Sequence, residues 1–134
     1  MSGWGSFSNH SSSPAGHTFV IWNPRLLMVE PQFESSHIID FHVWTVKVDV
    51  SSMVSIVYGF NFVVDQRLLW EAVANRASSS ITKPCIPLGD FDEVRFHDDR
   101  LGGCLDWSSS IEECNSHIFA SNLEDLCCFG MRYS

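Results

Sequence analysis

A short apolar run, Pro84-Cys85-Ile86-Pro87-Leu88, ends in Gly89 and delivers Asp90 and Asp92 one residue apart. Carboxylates at this spacing can reach one hard cation or one reacting water. Ligands of α/β proteins bind beyond the carboxyl ends of strands, where a strand stopping at Gly89 leaves both side chains. The plainer alternative is local, because an aspartate at a strand end also closes a turn by bonding to its own backbone. His97, Asp98 and Asp99 pose the same choice between a second cation site and a solvated acidic loop. His37 and His42 read as structural or solvent-facing strand residues.

Periodicity indicates the elements that must hold these groups. Residues 1–16 are rich in Ser and Gly, carry Pro14, and read as an irregular lead-in to a domain over 17–134. Strands are expected over 17–22, which Asn23-Pro24 stops, and over 26–33, where Pro31 suits an edge. Over 37–50 the pattern alternates, with Ile39, Phe41, Val43 and Thr45 on one side and Ile38, His42 and Val46 on the other. Residues 53–58 form the next antiparallel strand of a meander. The period then changes, and 65–77 places Leu69, Ala72, Val73 and Ala77 on one helical face. The strand over 85–88 carries the aspartates into a polar loop over 92–106. A second helix over 107–120 aligns Trp107, Ile111, Cys114 and Ile118, with Ser109 and Glu112, or Ser110 and Glu113, as its capping box. A short connection and strand-like residues finish the chain. Strands, helix, strand, helix is the pattern of a layered α/β sandwich.

Composition bounds the rest. The 134 residues suit one domain, and 45% apolar against 18% charged residues is a globular balance. Sixteen acidic against eight basic residues leave a formal charge of -8, which argues against strong generic nucleic-acid binding but leaves room for a local basic groove. The five cysteines are odd in number, contain no C-x-x-C and include the adjacent Cys127 and Cys128. They support neither a disulfide framework nor a zinc module and read as thiols in a reducing, intracellular compartment. The first residues lack a basic and an apolar region of a leader. The longest apolar stretch, 53–64, is interrupted by Ser55, Gly59 and Asn61 and is too short to span a bilayer.

Several segments together carry a family resemblance. In order they are Phe7-Ser8-Asn9, the GHTFVIWNP run from Gly16 to Pro24, Val57-Tyr58-Gly59-Phe60-Asn61, Leu88-Gly89-Asp90-Phe91-Asp92, Asp99-Arg100-Leu101-Gly102-Gly103, and Leu123-Glu124-Asp125-Leu126 with Gly130 and Tyr133. The chain resembles the endonuclease/exonuclease/phosphatase family, in particular the endonuclease region of plant non-LTR, LINE-type retrotransposon proteins. The resemblance implies an incomplete four-layered, DNase I-like α/β sandwich of antiparallel and mixed sheets with flanking helices. It also implies a magnesium-dependent phosphodiester hydrolase acting on DNA, in an intracellular setting, the nucleus included. Asp90 matches the aspartate of the family's GDFN motif, which serves the nucleophile. Tyr58 and Asn61 match a tyrosine near the scissile phosphate and an asparagine on the substrate side.

Asp92 stands where the family has asparagine. An amide both donates and accepts, whereas an ionised carboxylate only accepts. The exchange removes a donor and adds negative charge beside an anionic substrate; one such donor is worth on the order of a hundredfold in rate. Alternatively, Asp92 becomes an extra cation ligand. The family's metal-binding glutamate is expected upstream of Phe7 and its Ser/Asp-His element beyond Tyr133, so no metal ligand is assigned here and neither Glu30 nor Glu34 takes the role. The expectation is an internal fragment with little or no activity, or a non-catalytic retroelement-derived remnant or interaction protein. Open sheet edges would favour self-association.

Overall fold

The computed structural model describes residues 3–12, 18–59, 63–80, 82–96, 98 and 108–126. Its elements are β1 (Gly5–Ser8), β2 (Phe19–Trp22), β3 (Leu27–Glu34), β4 (Ile38–Thr45), β5 (Ser51–Tyr58), α1 (Val63–Ser79), β6 (Cys85–Asp90) and α2 (Ser108–Ala120). They build an antiparallel β1–β2 pair and a four-stranded sheet in the order β3-β4-β5-β6. The β3–β4 and β4–β5 pairs are antiparallel, and β5–β6 is parallel. A parallel pair needs a crossover, and α1 supplies it. The described residues are therefore α/β, with two sheets and two helices.

One face of the larger sheet is covered by α1. Gln66, Leu69, Trp70 and Val73 are its buried residues, at the i, i+3, i+4, i+7 spacing of a single stripe. Leu69 and Val73 pack on Ile38 of β4 and Val57 of β5, with Ala72 and Phe91 at the margin. Each large apolar side chain so buried stabilises by about 1.5–3 kcal/mol. The expected stripe of Leu69, Ala72, Val73 and Ala77 is thus turned toward Gln66 and Trp70, and the helix extends past both ends of 65–77.

The other face of the sheet carries Ile39 and Phe41, and Phe7 of β1 meets the Phe41 ring edge-on, 5.4 Å between centroids at 89°. With cover on both faces, Ile38, Ile39, Asp40 and Phe41 are all buried, and the in-out alternation of 37–50 holds no contrast there. The lead-in expected to be irregular contains β1, whose Phe7 pairs with Val20 of β2. Asn9, fully buried, joins the sheets. Its Nδ2 donates to the Ser35 and Ser36 carbonyls at 3.2 Å, and its Oδ1 accepts the Thr18 N–H at 3.0 Å.

Pro31 lies in β3, the edge strand it was expected to mark, beside a register shift between Pro31 and Phe33. Along α2, Cys114 is buried and Ile111 and Ile118 are half-buried, as the spacing predicts; Trp107 lies outside the described residues. Neither proposed capping box is used. The Ser110 hydroxyl donates to both oxygens of Glu93, at 2.9 and 2.8 Å, and Glu113 pairs with Arg67 at 2.6 Å. His97 and Asp99 of the second suggested cation site lie outside the described residues, as do 127–134 of the strand-like tail.

Candidate functional site

The parallel register of β5 and β6 sets Tyr58 beside Asp90. The Gly59 N–H extends that pairing by donating to the Asp90 carbonyl at 2.6 Å. Asp90 then closes the turn that follows it, because its Oδ1 accepts the Asp92 N–H at 3.0 Å. Asp92 takes a left-handed backbone, φ 56°, a conformation that Asp and Asn adopt more readily than most residues. Both carboxylates are exposed. Phe91 between them faces inward and stacks on Trp70 at 5.4 Å and 8°. Gln66 of α1 donates from Nε2 to the Asp92 carbonyl at 3.3 Å.

Two glycines make this junction possible. Gly89 has φ 135°, and an added Cβ would overlap the Val57 carbonyl. A Cβ on Gly59 would lie 2.6 Å from the Phe91 carbonyl carbon. The glycine in Leu88-Gly89-Asp90 is therefore required by the backbone itself. The turn-closing role of Asp90 is present, and it engages one carboxylate oxygen of the two.

His37 joins Tyr58 at this end of the sheet. Its Nδ1 lies 2.9 Å from the Tyr58 carbonyl; a carbonyl only accepts, so Nδ1 carries the proton. The rings stack 6.3 Å apart at 24°, and the Tyr58 N–H donates to the His37 carbonyl at 2.9 Å. The sequence set His37 aside as structural or solvent-facing, and its position at the mouth of β4 becomes informative only once β4 pairs with β5. Glu34, at the same sheet end on β3, accepts from the Ser11 hydroxyl and from the Ser12 hydroxyl and N–H. Those bonds, the Ser11 hydroxyl first, hold its carboxyl below the ordinary range. Asn61 lies outside the described residues.

Among the described residues, no group of three or more His, Cys, Asp or Glu is placed to hold a metal ion. What the strand end offers is exposed carboxylate beside a tyrosine, on a turn fixed by backbone contacts. No protein-family model matches the chain, and neither a curated protein nor a solved structure matches it. No helix among the described residues is long and apolar enough to cross a membrane.

A second polar group, unmarked in the sequence, lies beneath α1. Asp40 accepts the Ser55 hydroxyl at 2.7 Å and the Arg76 Nε at 2.9 and 2.7 Å through its two oxygens. Arg76 also donates to the Ala72 carbonyl at 3.0 Å and lies over the Phe33 ring at 5.0 Å. A cleft of about 210 Å³ opens beside them. It is lined by the half-buried Cys85, whose thiol pKa is raised by burial first and by the Asp40 charge second.

Proposed function

We propose that the chain is an endonuclease/exonuclease/phosphatase-like domain of retroelement origin, built for DNA phosphodiester hydrolysis, that holds only part of the family's catalytic set, with Asp92 in the asparagine position, and little or no turnover. The observation that carries this reading is the Tyr58–Asp90 pair at the ends of two parallel strands, with the Asp92 turn directly after it. In this reading Asp90 orients or deprotonates the attacking water. Tyr58 lies on the phosphate side, and Asn61 contacts substrate. Asp92 opposes them, since it donates no hydrogen bond from its ionised side chain and repels a phosphate. Magnesium and a four-layered DNase I-like arrangement belong to the reading through the family resemblance.

Supercoiled-plasmid nicking in magnesium tests it with three proteins. The unsubstituted chain should nick little, Asp92→Asn should nick on the order of a hundredfold faster, and Asp90→Asn placed on top of Asp92→Asn should remove the gain. Vigorous nicking by the unsubstituted chain that disappears in Asp90→Asn would overturn the inactivity, and nicking that survives Asp90→Asn would remove Asp90 from the reading.

Self-association is the second part of the reading. Phe19 and Ile21 of β2 are 65% and 55% exposed, and Leu88 of β6 is 44% exposed. Apolar strand faces and edges of this kind attract further strands. Sedimentation velocity across a range of concentrations should show dimers or larger species; a monomer at every concentration would remove this part.

A further inference from the structure

A cleft of about 490 Å³ lies between α1, β6 and α2, with Phe91 shared between its wall and the strand-end turn. That volume accommodates a small organic molecule, and such sites combine apolar walls with a few placed polar groups. The walls here are Trp70, Val73, Ile86, Ile118 and Leu123. Trp70, 5% exposed, is held by stacking on Phe91 and, at 6.2 Å and 7°, on His117, so the floor of the cleft is fixed before any ligand arrives.

The mouth of the cleft is acidic. Among the described residues, Glu93, Glu124 and Asp125 line it together with Arg95. The Arg95 guanidinium is committed to its neighbours: it pairs with Asp125, donates to the Asn115 Oδ1 at 3.0 Å and lies over the Phe96 ring at 5.3 Å. Among the described residues three carboxylates stand against one guanidinium, and with Asp125 paired to Arg95 the excess negative charge lies on Glu93 and Glu124, a rim that selects positive charge. Burial is the first cause of a raised pKa at Glu93; an incoming cation would relieve that cost. The formal charge of -8 on the whole chain adds attraction at longer range.

We propose that this cleft binds an organic cation with a flat apolar body, the body against Phe91 and Ile118 and the ammonium head at the Glu93 and Glu124 rim. A neutral analogue would lose the charge contact, and an anionic one would meet repulsion at the same place. The site shares Phe91 with the Asp90–Asp92 turn but uses neither of its carboxylates, so the proposal does not depend on hydrolysis.

Three probes with closely related skeletons test it by calorimetry on the intact chain: naphthylethylamine, naphthylethanol and naphthylacetate. The amine should bind saturably, about fivefold tighter than the alcohol, and the carboxylate should bind weakest. Glu124→Lys, at an exposed position, should cancel the preference for the amine without disturbing the fold, and Leu123→Trp should weaken all three probes by filling the space. No saturable amine binding, equal binding of amine and alcohol, or an unchanged preference in Glu124→Lys would overturn the proposal.

Discussion

At the end of β6, Asp90 and Asp92 stand exposed within a single turn, whereas Asp40, inside β4, is buried against Ser55 and Arg76. The first arrangement uses bonds between near neighbours in the chain and leaves carboxylate toward solvent. The second draws on β4, β5 and α1, and commits the charge to the protein. A carboxylate kept available to a ligand adds little to stability, while one held by long-range partners helps to fix how helix and sheet meet. The same residue type thus stands open to solvent in one place and serves architecture in the other.

The strongest way to break this contrast is at Arg76. Arg76→Ala leaves the Asp40 carboxylate buried without its cation, which costs about 3–5 kcal/mol; urea unfolding measures it, and an unchanged midpoint would erase the architectural role. Asp90→Asn should be much milder. An asparagine oxygen can still accept the Asp92 N–H, so the midpoint should move by no more than about 0.5 kcal/mol. A loss comparable to that of Arg76→Ala would show that the strand-end carboxylate is structural after all.

Smaller still are two effects of pH with opposite sign. Glu34 has a depressed carboxyl pKa in the folded chain. Its stabilisation is present above the ordinary carboxylate pKa and is lost as pH falls through the depressed value. Glu93 has a raised one, from burial chiefly. The folded chain therefore favours its protonated form, and stability falls as pH rises from the unfolded value through the raised one. Urea midpoints between about pH 3 and pH 6 should lose the acid-side fall in Glu34→Gln and the opposing slope in Glu93→Gln.

Much of the scaffold was legible because it is local. The helix spacing of Ile111, Cys114 and Ile118, the edge character of Pro31 and the strand after Pro84 all follow from short-range pattern. β1 escaped because Gly5-Ser6-Phe7-Ser8 offers one large apolar residue, which declares itself only against Phe41. The capping boxes failed because Ser110 and Glu113 had more distant partners in Glu93 and Arg67. The site shows the same division. Asp90 and Asp92 form a turn readable from their spacing. His37 meets Tyr58 across 21 positions, and Asp40 meets Arg76 across 36, separations that no local pattern encodes.

Asn9 has a consequence for how the domain comes apart. The β1–β2 pair shares no strand with the larger sheet, so it can lift away without breaking one rung of that ladder. The buried Asn9 amide bonded to Ser35 and Ser36, together with the Ser11 and Ser12 bonds to Glu34, therefore acts as a latch. Releasing it frees the hairpin as a unit and bares Phe41, a partial opening of lower free energy than global unfolding. The chain would breathe at this seam first, and a foreign strand would find its entrance there.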